Sequence, residues 1–129
     1  MKANELRIGN LVHNQNNGED YHVTSADIAD MDNGIKHREP IDLTEEWLFR
    51  FWFDKMDNVL YHSQFPHFGG GLKDGAFHIV LRKENYPTKG EVLFFPFGSV
   101  KYVHRLQNIF FEITGEELTI KEVLNEQYQ

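Results

Sequence analysis

Three polar side chains in the stretch YVHRLQNIFFEITGEEL have the types and spacing of a small binding site. His104, Gln107 and Asn108 are three or four residues apart, so a helix would place them within one turn. Their ring nitrogens and amides could contact a small polar molecule such as a nucleotide, with Lys73 as a cationic contact. The structural interpretation is that they bond to nearby backbone or water and hold the helix against the first strands. Amides are poor acid–base groups, so we predict no catalytic residue here.

A second set of residues, His62, His67 and His78, contains the only histidines that suggest a metal site. Pairing of the segments NVLYHSQF and AFHIVLRK would turn His62 and His78 outward across one ladder, with His67 supplied by the segment between them. Zinc requires three or four ligands in a tetrahedral arrangement, and these positions have no compact spacing motif. We therefore interpret them as exposed strand histidines and predict no metal and no other cofactor. A metal-dependent hydrolase is the least favoured function.

Other catalytic and phosphate-binding patterns are missing from the sequence. The chain has no cysteine, which excludes disulfides, thiolate metal sites and cysteine nucleophiles together. The segment HFGGGLKDG, residues 67–75, lacks the Lys-Ser/Thr ending of a phosphate-binding loop and leads into a strand-like segment. We expect the link PHFGGGLKDG, residues 66–75, to be a mobile loop with a positive φ at Gly70 or Gly71, and residues 65–72 to form an aromatic loop that contacts a partner. These observations favour a non-catalytic protein.

The surplus of aromatic side chains is the strongest sign of a binding surface. A single small core could absorb most of them, which is the simpler interpretation. Those that remain outside would act as interface anchors, because Trp and Phe dominate binding hot spots. We predict partner binding through Phe49, Trp52, Phe53 and Phe68, of which Phe68 is the least expected in a core. The wider aromatic set also includes Phe65, Phe94, Phe95 and Phe97.

Composition and charge restrict the class of protein. The 129 residues, 40% of them hydrophobic, suit a single domain over 1–129 with a frayed tail at 124–129. The formal net charge of -7 disfavours direct binding to nucleic acid, although an acidic surface could contact a basic partner. No stretch has the length of a membrane span, and the N-terminal sequence lacks the apolar run of a signal peptide. We expect a soluble, cytoplasmic protein.

A small α+β fold is expected to position these residues. Thr44 followed by two glutamates predicts a helix over 44–53, and an apolar stripe from Tyr102 to Ile113 predicts a second over 103–114, closed by Gly115. Short β-rich segments predict strands in LRIGNLV, YHVTSADI, NVLYHSQF, AFHIVLRK and EVLFFPF, with shorter ones around Ile35 and in ELTIKEV. We predict a twisted antiparallel sheet or open barrel of about five to six strands, with the two helices covering its apolar face.

Three segments of the chain resemble a known group of sequences. The ELRIGN start, the PI-x-LTEEWL segment and the YVH-x-LQN-x-F-x-x-TGEELT ending are similar to small uncharacterised proteins encoded by Bacteroidetes-type bacteria and their phages. The resemblance does not extend to residues 54–100. It implies a phage, prophage or mobile-element context without an enzyme class or functional residues. We therefore predict an accessory protein that binds a protein partner or self-associates, with a small-ligand binding protein as the alternative.

Overall fold

A computed structural model describes residues 3–35, 38–82, 92–93 and 98–121. The chain groups into two compact units, the first formed by residues 1–42 and 101–116 and the second by residues 43–100 and 117–129. Each unit therefore combines two separate stretches of sequence. The prediction of a single domain stays a prediction, and the tail at 124–129 lies outside the described residues.

Each unit contains helical segments as well as antiparallel strands. In chain order, the first unit contains the strands β1 (Leu11–Asn14) and β2 (Glu19–His22), the helix α1 (Ser25–Asp32) and the strand β3 (Arg38–Glu39). The second contains the helix α2 (Glu45–Arg50) and the strands β4 (Phe53–Met56), β5 (Val59–His62), β6 (Phe68–Lys73), β7 (Ala76–Arg82), β8 (Val92–Leu93) and β9 (Ser99–Val100). The helix α3 (Val103–Thr114) completes the first unit.

The first unit has a three-stranded sheet with the order β2-β1-β3. Val12 of β1 and Val23 after β2 are fully buried together with Leu6, and Ile28 and Met31 of α1 pack against them. The apolar stripe of α3 is buried at Val103, Leu106 and Phe110. As predicted, α3 ends at Gly115, whose φ of 77° is the left-handed conformation that glycine adopts at low cost.

Helix α1 corrects the prediction of a strand over YHVTSADI. The backbone N–H of Asp27 donates to the Thr24 hydroxyl at 3.3 Å, and the backbone N–H of Thr24 donates to the Asp27 carboxylate at 2.8 Å. This reciprocal capping box satisfies two backbone donors at a helix start, so the strand alternation ends before Thr24. The predicted short strand around Ile35 is also displaced, because the strand β3 begins at Arg38.

The second unit is built on a six-stranded antiparallel sheet with the order β4-β5-β6-β7-β8, and β9 also pairs with β7. Phe53 lies at the centre of its core. The Phe53 ring makes edge-to-face contacts with His62 at 5.2 Å, Phe68 at 6.1 Å and Phe77 at 5.8 Å between ring centroids. Such contacts add to the stabilisation from burial, so this aromatic cluster contributes to the stability of the unit.

Helix α2 begins as predicted and ends earlier than predicted. The Thr44 hydroxyl accepts from the backbone N–H of Trp47 at 3.3 Å, which confirms Thr44 as the N-cap. The helix was expected to reach residue 53, but Trp52 has a φ of 71° and Phe53 is the first residue of β4. The sequence prediction did not include β4, because the apolar residues at helical spacing continue past the point at which the chain reverses direction.

The glycine-rich segment is a central strand, and the prediction of a mobile loop is wrong. Gly70 of β6 pairs with Leu60 of β5 on one side and with Ile79 of β7 on the other. A Cβ atom on Gly70 would lie 2.0 Å from the carbonyl oxygen of His78, so only glycine permits this approach. The positive φ angles belong to Asp74 and Gly75 in the following hairpin turn.

The α+β prediction is confirmed, and its details are corrected. The strands lie in two antiparallel sheets instead of one, and across the described ranges they do not close into a barrel. The strand β6 separates β5 from β7, which were expected to be neighbours. A strand in ELTIKEV is not formed over its described residues 117–121, and most of EVLFFPF lies outside the described residues.

Candidate functional site

The polar side of α3 is used to hold the N-terminal segment of the first unit. The buried amide of Gln107 accepts a hydrogen bond from the backbone N–H of Leu11 at 2.7 Å and donates to the carbonyl of Gly9 at 3.4 Å. Gln107 therefore satisfies backbone groups next to the start of β1. The structural interpretation of its amide is confirmed.

Asn108 continues this contact on the next residue of α3. Its carbonyl oxygen accepts from the Arg7 guanidinium and from the Asn10 amide, both at 2.8 Å, and its amide nitrogen donates to the carbonyl of Glu5 at 2.9 Å. The guanidinium of Arg7 also lies 4.6 Å from the ring centre of Phe111. The hydrogen-bonding groups of Asn108, which is half-buried, thus bond to the chain itself.

His104 is fully buried and is oriented by its neighbours. Its ring stacks on Tyr102 with 6.0 Å between centroids, and its Nε2 atom lies 3.5 Å from a carboxylate oxygen of Glu5, which is longer than a normal hydrogen bond. Burial lowers the pKa of His104, so the imidazole is neutral at pH 7. Within the described residues neither ring nitrogen has a hydrogen-bond partner.

The polar residues of the small-ligand alternative are divided between the two units. His104, Gln107 and Asn108 belong to the first unit, whereas Lys73 is an exposed residue at the end of β6 in the second. Because Gln107 and His104 are buried, a ligand would have to displace internal contacts to reach them. Binding through these residues stays a prediction.

The three histidines of the metal hypothesis occupy different environments. His62 is buried in the second unit, where its Nδ1 accepts from the backbone N–H groups of Gln64 at 3.1 Å and Phe65 at 3.3 Å. The expectation that His62 faces outward is therefore wrong, whereas His67 and His78 are exposed as expected. In the portion of the chain that the structure describes, no group of three or more His, Cys, Asp or Glu side chains could hold a metal ion.

Desolvation dominates the titration of His62. Burial lowers the pKa of His62 to about 4, although a hydrogen bond to the carbonyl of Phe51 and the nearby charge of Asp54 act in the opposite direction. The neutral ring therefore links the end of α2 with the turn after β5. This role is structural and was not visible in the sequence, because burial and the contact with Phe51 depend on the packing of the end of α2 against β5.

The predicted aromatic anchors divide into two buried and two exposed residues. Phe53 and Phe68 are each only 1% exposed, so neither is available to a partner in this structure. The expectation that Phe68 would avoid the core is wrong, because β6 is a central strand whose side chains cannot avoid the sheet faces. Phe49 and Trp52 are each 38% exposed and lie at the C-terminal end of α2.

Trp52 has an unusual backbone conformation for a bulky residue. Its φ of 71° lies in the left-handed region, and its N–H donates to the carbonyl of Phe49 at 3.2 Å, as a residue following a helix end does. The other non-glycine residues with positive φ, Asp57 and Asp74, occupy hairpin turns where aspartate is common. A bulky residue in this region costs about 1–2 kcal/mol, which glycine would avoid.

Two cations accompany these exposed aromatic residues, and the sequence interpretation did not include them. The backbone N–H of Lys121 donates to the carbonyl of Arg50 at 2.6 Å, which brings the two residues together. The Nζ atom of Lys121 lies 5.0 Å from the ring centre of Trp52, and the guanidinium carbon of Arg50 lies 4.0 Å from the ring centre of Trp47. We call Phe49, Arg50, Trp52 and Lys121 the Trp52 surface.

A partly buried polar cluster in the first unit was also missed. The guanidinium of Arg38 donates to the Asp27 carboxylate at 2.6 Å and to the Tyr21 hydroxyl at 2.6 Å. Burial alone would raise the pKa of Asp27, but hydrogen bonds from the Thr24 backbone and from Arg38 outweigh it and lower the pKa to about 2. The cluster thus fixes α1 on the sheet through a partly buried ion pair, and no sequence motif marks it.

Comparison with known protein families, with curated proteins and with solved structures finds no match to this chain. None of the helices in the described part of the chain has the length and apolarity that a membrane crossing requires. The class of protein that the fold and surface define is therefore a small α+β protein with an exposed aromatic surface in its second unit.

Proposed function

We propose that this protein is a non-catalytic accessory protein of phage or mobile-element type that acts in the cytoplasm by binding another protein. The Trp52 surface is the binding site. The observation that carries the proposal is that an exposed tryptophan occupies a backbone position where glycine would be less strained.

The surroundings of Trp52 explain the turn but not the tryptophan. Phe51 is the C-cap of α2 and Phe53 is the first residue of β4, so the backbone changes direction at Trp52. The carbonyl of Trp52 accepts from the backbone N–H of Ser63 at 2.9 Å, which holds the turn in place. Glycine would satisfy all these backbone requirements. The large exposed indole therefore needs another reason, and an interface anchor is the role in which exposed Trp contributes most free energy.

The test uses a photo-cross-linking residue at a matched pair of positions. Phe49 and Phe111 are both helix residues, 38% and 39% exposed, in the second and first units respectively. We expect a protein adduct in cells when Phe49 is replaced by p-benzoylphenylalanine and none when Phe111 is replaced. An adduct between two copies of the chain would identify the interaction as self-association.

The cross-linked protein is then purified and titrated against the wild-type chain and two variants. Trp52→Ala should weaken binding at least tenfold, as loss of a central aromatic anchor does. Ile8→Ala is the control, because Ile8 is an exposed apolar residue of the first unit. Equal affinities of the Trp52→Ala variant and the wild-type chain would refute the proposed function.

A further inference from the structure

We infer that the partner segment bound by the Trp52 surface is acidic, with carboxylates beside an apolar side chain. This inference rests on the proposed function and adds the chemistry of the partner. Its basis is the pair of cations in this surface: Arg50 lies against the ring of the neighbouring Trp47, and Lys121 lies against the ring of Trp52.

Among the residues that the structure describes, neither cation has an acidic partner of its own. Lys55, on the adjacent strand β4, pairs with Glu45 at 3.1 Å. No carboxylate of the described chain lies within ion-pair distance of Arg50 or Lys121, although acidic residues outnumber basic ones by 20 to 13. Both side chains are exposed, so their charges are free to meet a carboxylate from another molecule.

The position at the end of α2 explains part of this arrangement. A cation in the last turn of a helix interacts favourably with the helix dipole, and Arg50 occupies that turn. Lys121 comes from a distant part of the sequence and is joined to the same end by its backbone hydrogen bond. The dipole of a helix this short does not require two cations, whereas a flanking pair suits an anionic partner.

The contacts leave the binding edges of both cations available. A guanidinium that lies over an aromatic ring keeps its N–H edges free for two parallel bonds to a carboxylate. The exposed parts of Phe49 and Trp52 would receive the apolar side chain between these charges. A short acidic segment fits better than a nucleic acid, because the net charge of -7 repels an extended polyanion beyond the two cations.

The experiment compares defined probes on the full-length chain by fluorescence anisotropy. Two fluorescein-labelled helical peptides share one pattern of leucines, and their polar positions are all Glu in one and all Lys in the other. A single-stranded RNA oligonucleotide is the third probe. We expect the Glu peptide to bind at least tenfold more tightly than the Lys peptide and the RNA, with an affinity that falls as salt rises.

Charge-reversal variants assign the effect to the surface. The double variant Arg50→Glu with Lys121→Glu should abolish the preference for the Glu peptide. The control, Lys101→Glu with Arg105→Glu, makes the same change in net charge at two exposed residues of the first unit and should keep the preference. Circular dichroism checks that both variants remain folded.

Three results would overturn the inference: equal or absent binding of the two peptides, tighter binding of the RNA, or an unchanged preference in the Arg50→Glu, Lys121→Glu variant. Binding to the cross-linked partner distinguishes a failure of this inference from a failure of the proposed function. If Trp52→Ala abolishes binding to the cross-linked partner while the charge reversal leaves it intact, a protein interface exists and its partner is not acidic. If neither variant weakens that binding, both the proposed function and the inference are wrong.

Discussion

Replacement of Gly70 by alanine should destabilise the second unit severely. The added Cβ would lie 2.0 Å from the carbonyl oxygen of His78, and contacts below 3.0 Å require a shift, so β6 and β7 would have to separate by at least the difference of about 1 Å. That displacement breaks ladder hydrogen bonds worth about 1 kcal/mol each and loosens the packing of Phe68 against Phe53. We expect the free energy of unfolding to fall by more than about 3 kcal/mol.

The neighbouring Gly71 provides the matched control. A Cβ there would meet only the carbonyl oxygen of Asn58, at 3.6 Å, which is ordinary contact. Because glycine is unfavourable within a strand, Gly71→Ala should leave stability unchanged or raise it by up to about 1 kcal/mol. Urea unfolding monitored by tryptophan fluorescence measures both variants. If Gly70→Ala and Gly71→Ala unfold at the same urea concentration, the assignment of β6 as a central strand with this register is wrong.

Three further predictions concern Trp52, His62 and Gln107. Trp52→Gly should be about 1 kcal/mol more stable than Trp52→Ala, because both remove the indole and only alanine keeps the left-handed strain; chemical denaturation compares them. Lowering the pH should destabilise the fold, because the pKa of His62 is near 6.5 in the unfolded chain and about 4 in the folded one. The free energy of unfolding should therefore fall by about 3 kcal/mol as the pH falls from above 6.5 to 4. The variant His62→Gln should flatten this pH dependence. Gln107→Leu should lower the free energy of unfolding by about 2 kcal/mol, because the buried N–H of Leu11 loses its acceptor.

Each of these predictions has an outcome that contradicts it. Equal stability of the two Trp52 variants would show that the backbone at this position is not strained. If the pH dependence of unfolding is the same in His62→Gln as in the wild-type chain, His62 is not the titrating group. His22→Gln, at an exposed position, is the control. Burial also lowers the pKa of His104, so His104 would be the next histidine to test. Wild-type stability of Gln107→Leu would mean that water or another group satisfies Leu11.

Local sequence signals predicted the parts of the fold that depend on neighbouring residues. Thr44 and Gly115 marked the start of α2 and the end of α3, because capping involves hydrogen bonds within one helical turn. The apolar stripe of α3 followed from its period of 3.6 residues. The capping box at Thr24 was equally local, yet the alternation of Tyr21 and Val23 was extended past it, so α1 was missed.

The sequence by itself determined the α+β class, an acidic chain without cysteine chemistry and the helix carrying His104, Gln107 and Asn108. The tertiary structure alone decided what those side chains contact, because Gln107 bonds to Leu11, 96 residues away along the chain. It also decided which aromatic residues stay outside. Phe53 and Trp52 are adjacent and similar in character, but one points into the sheet core and the other outward, since exposure depends on where distant strands pack.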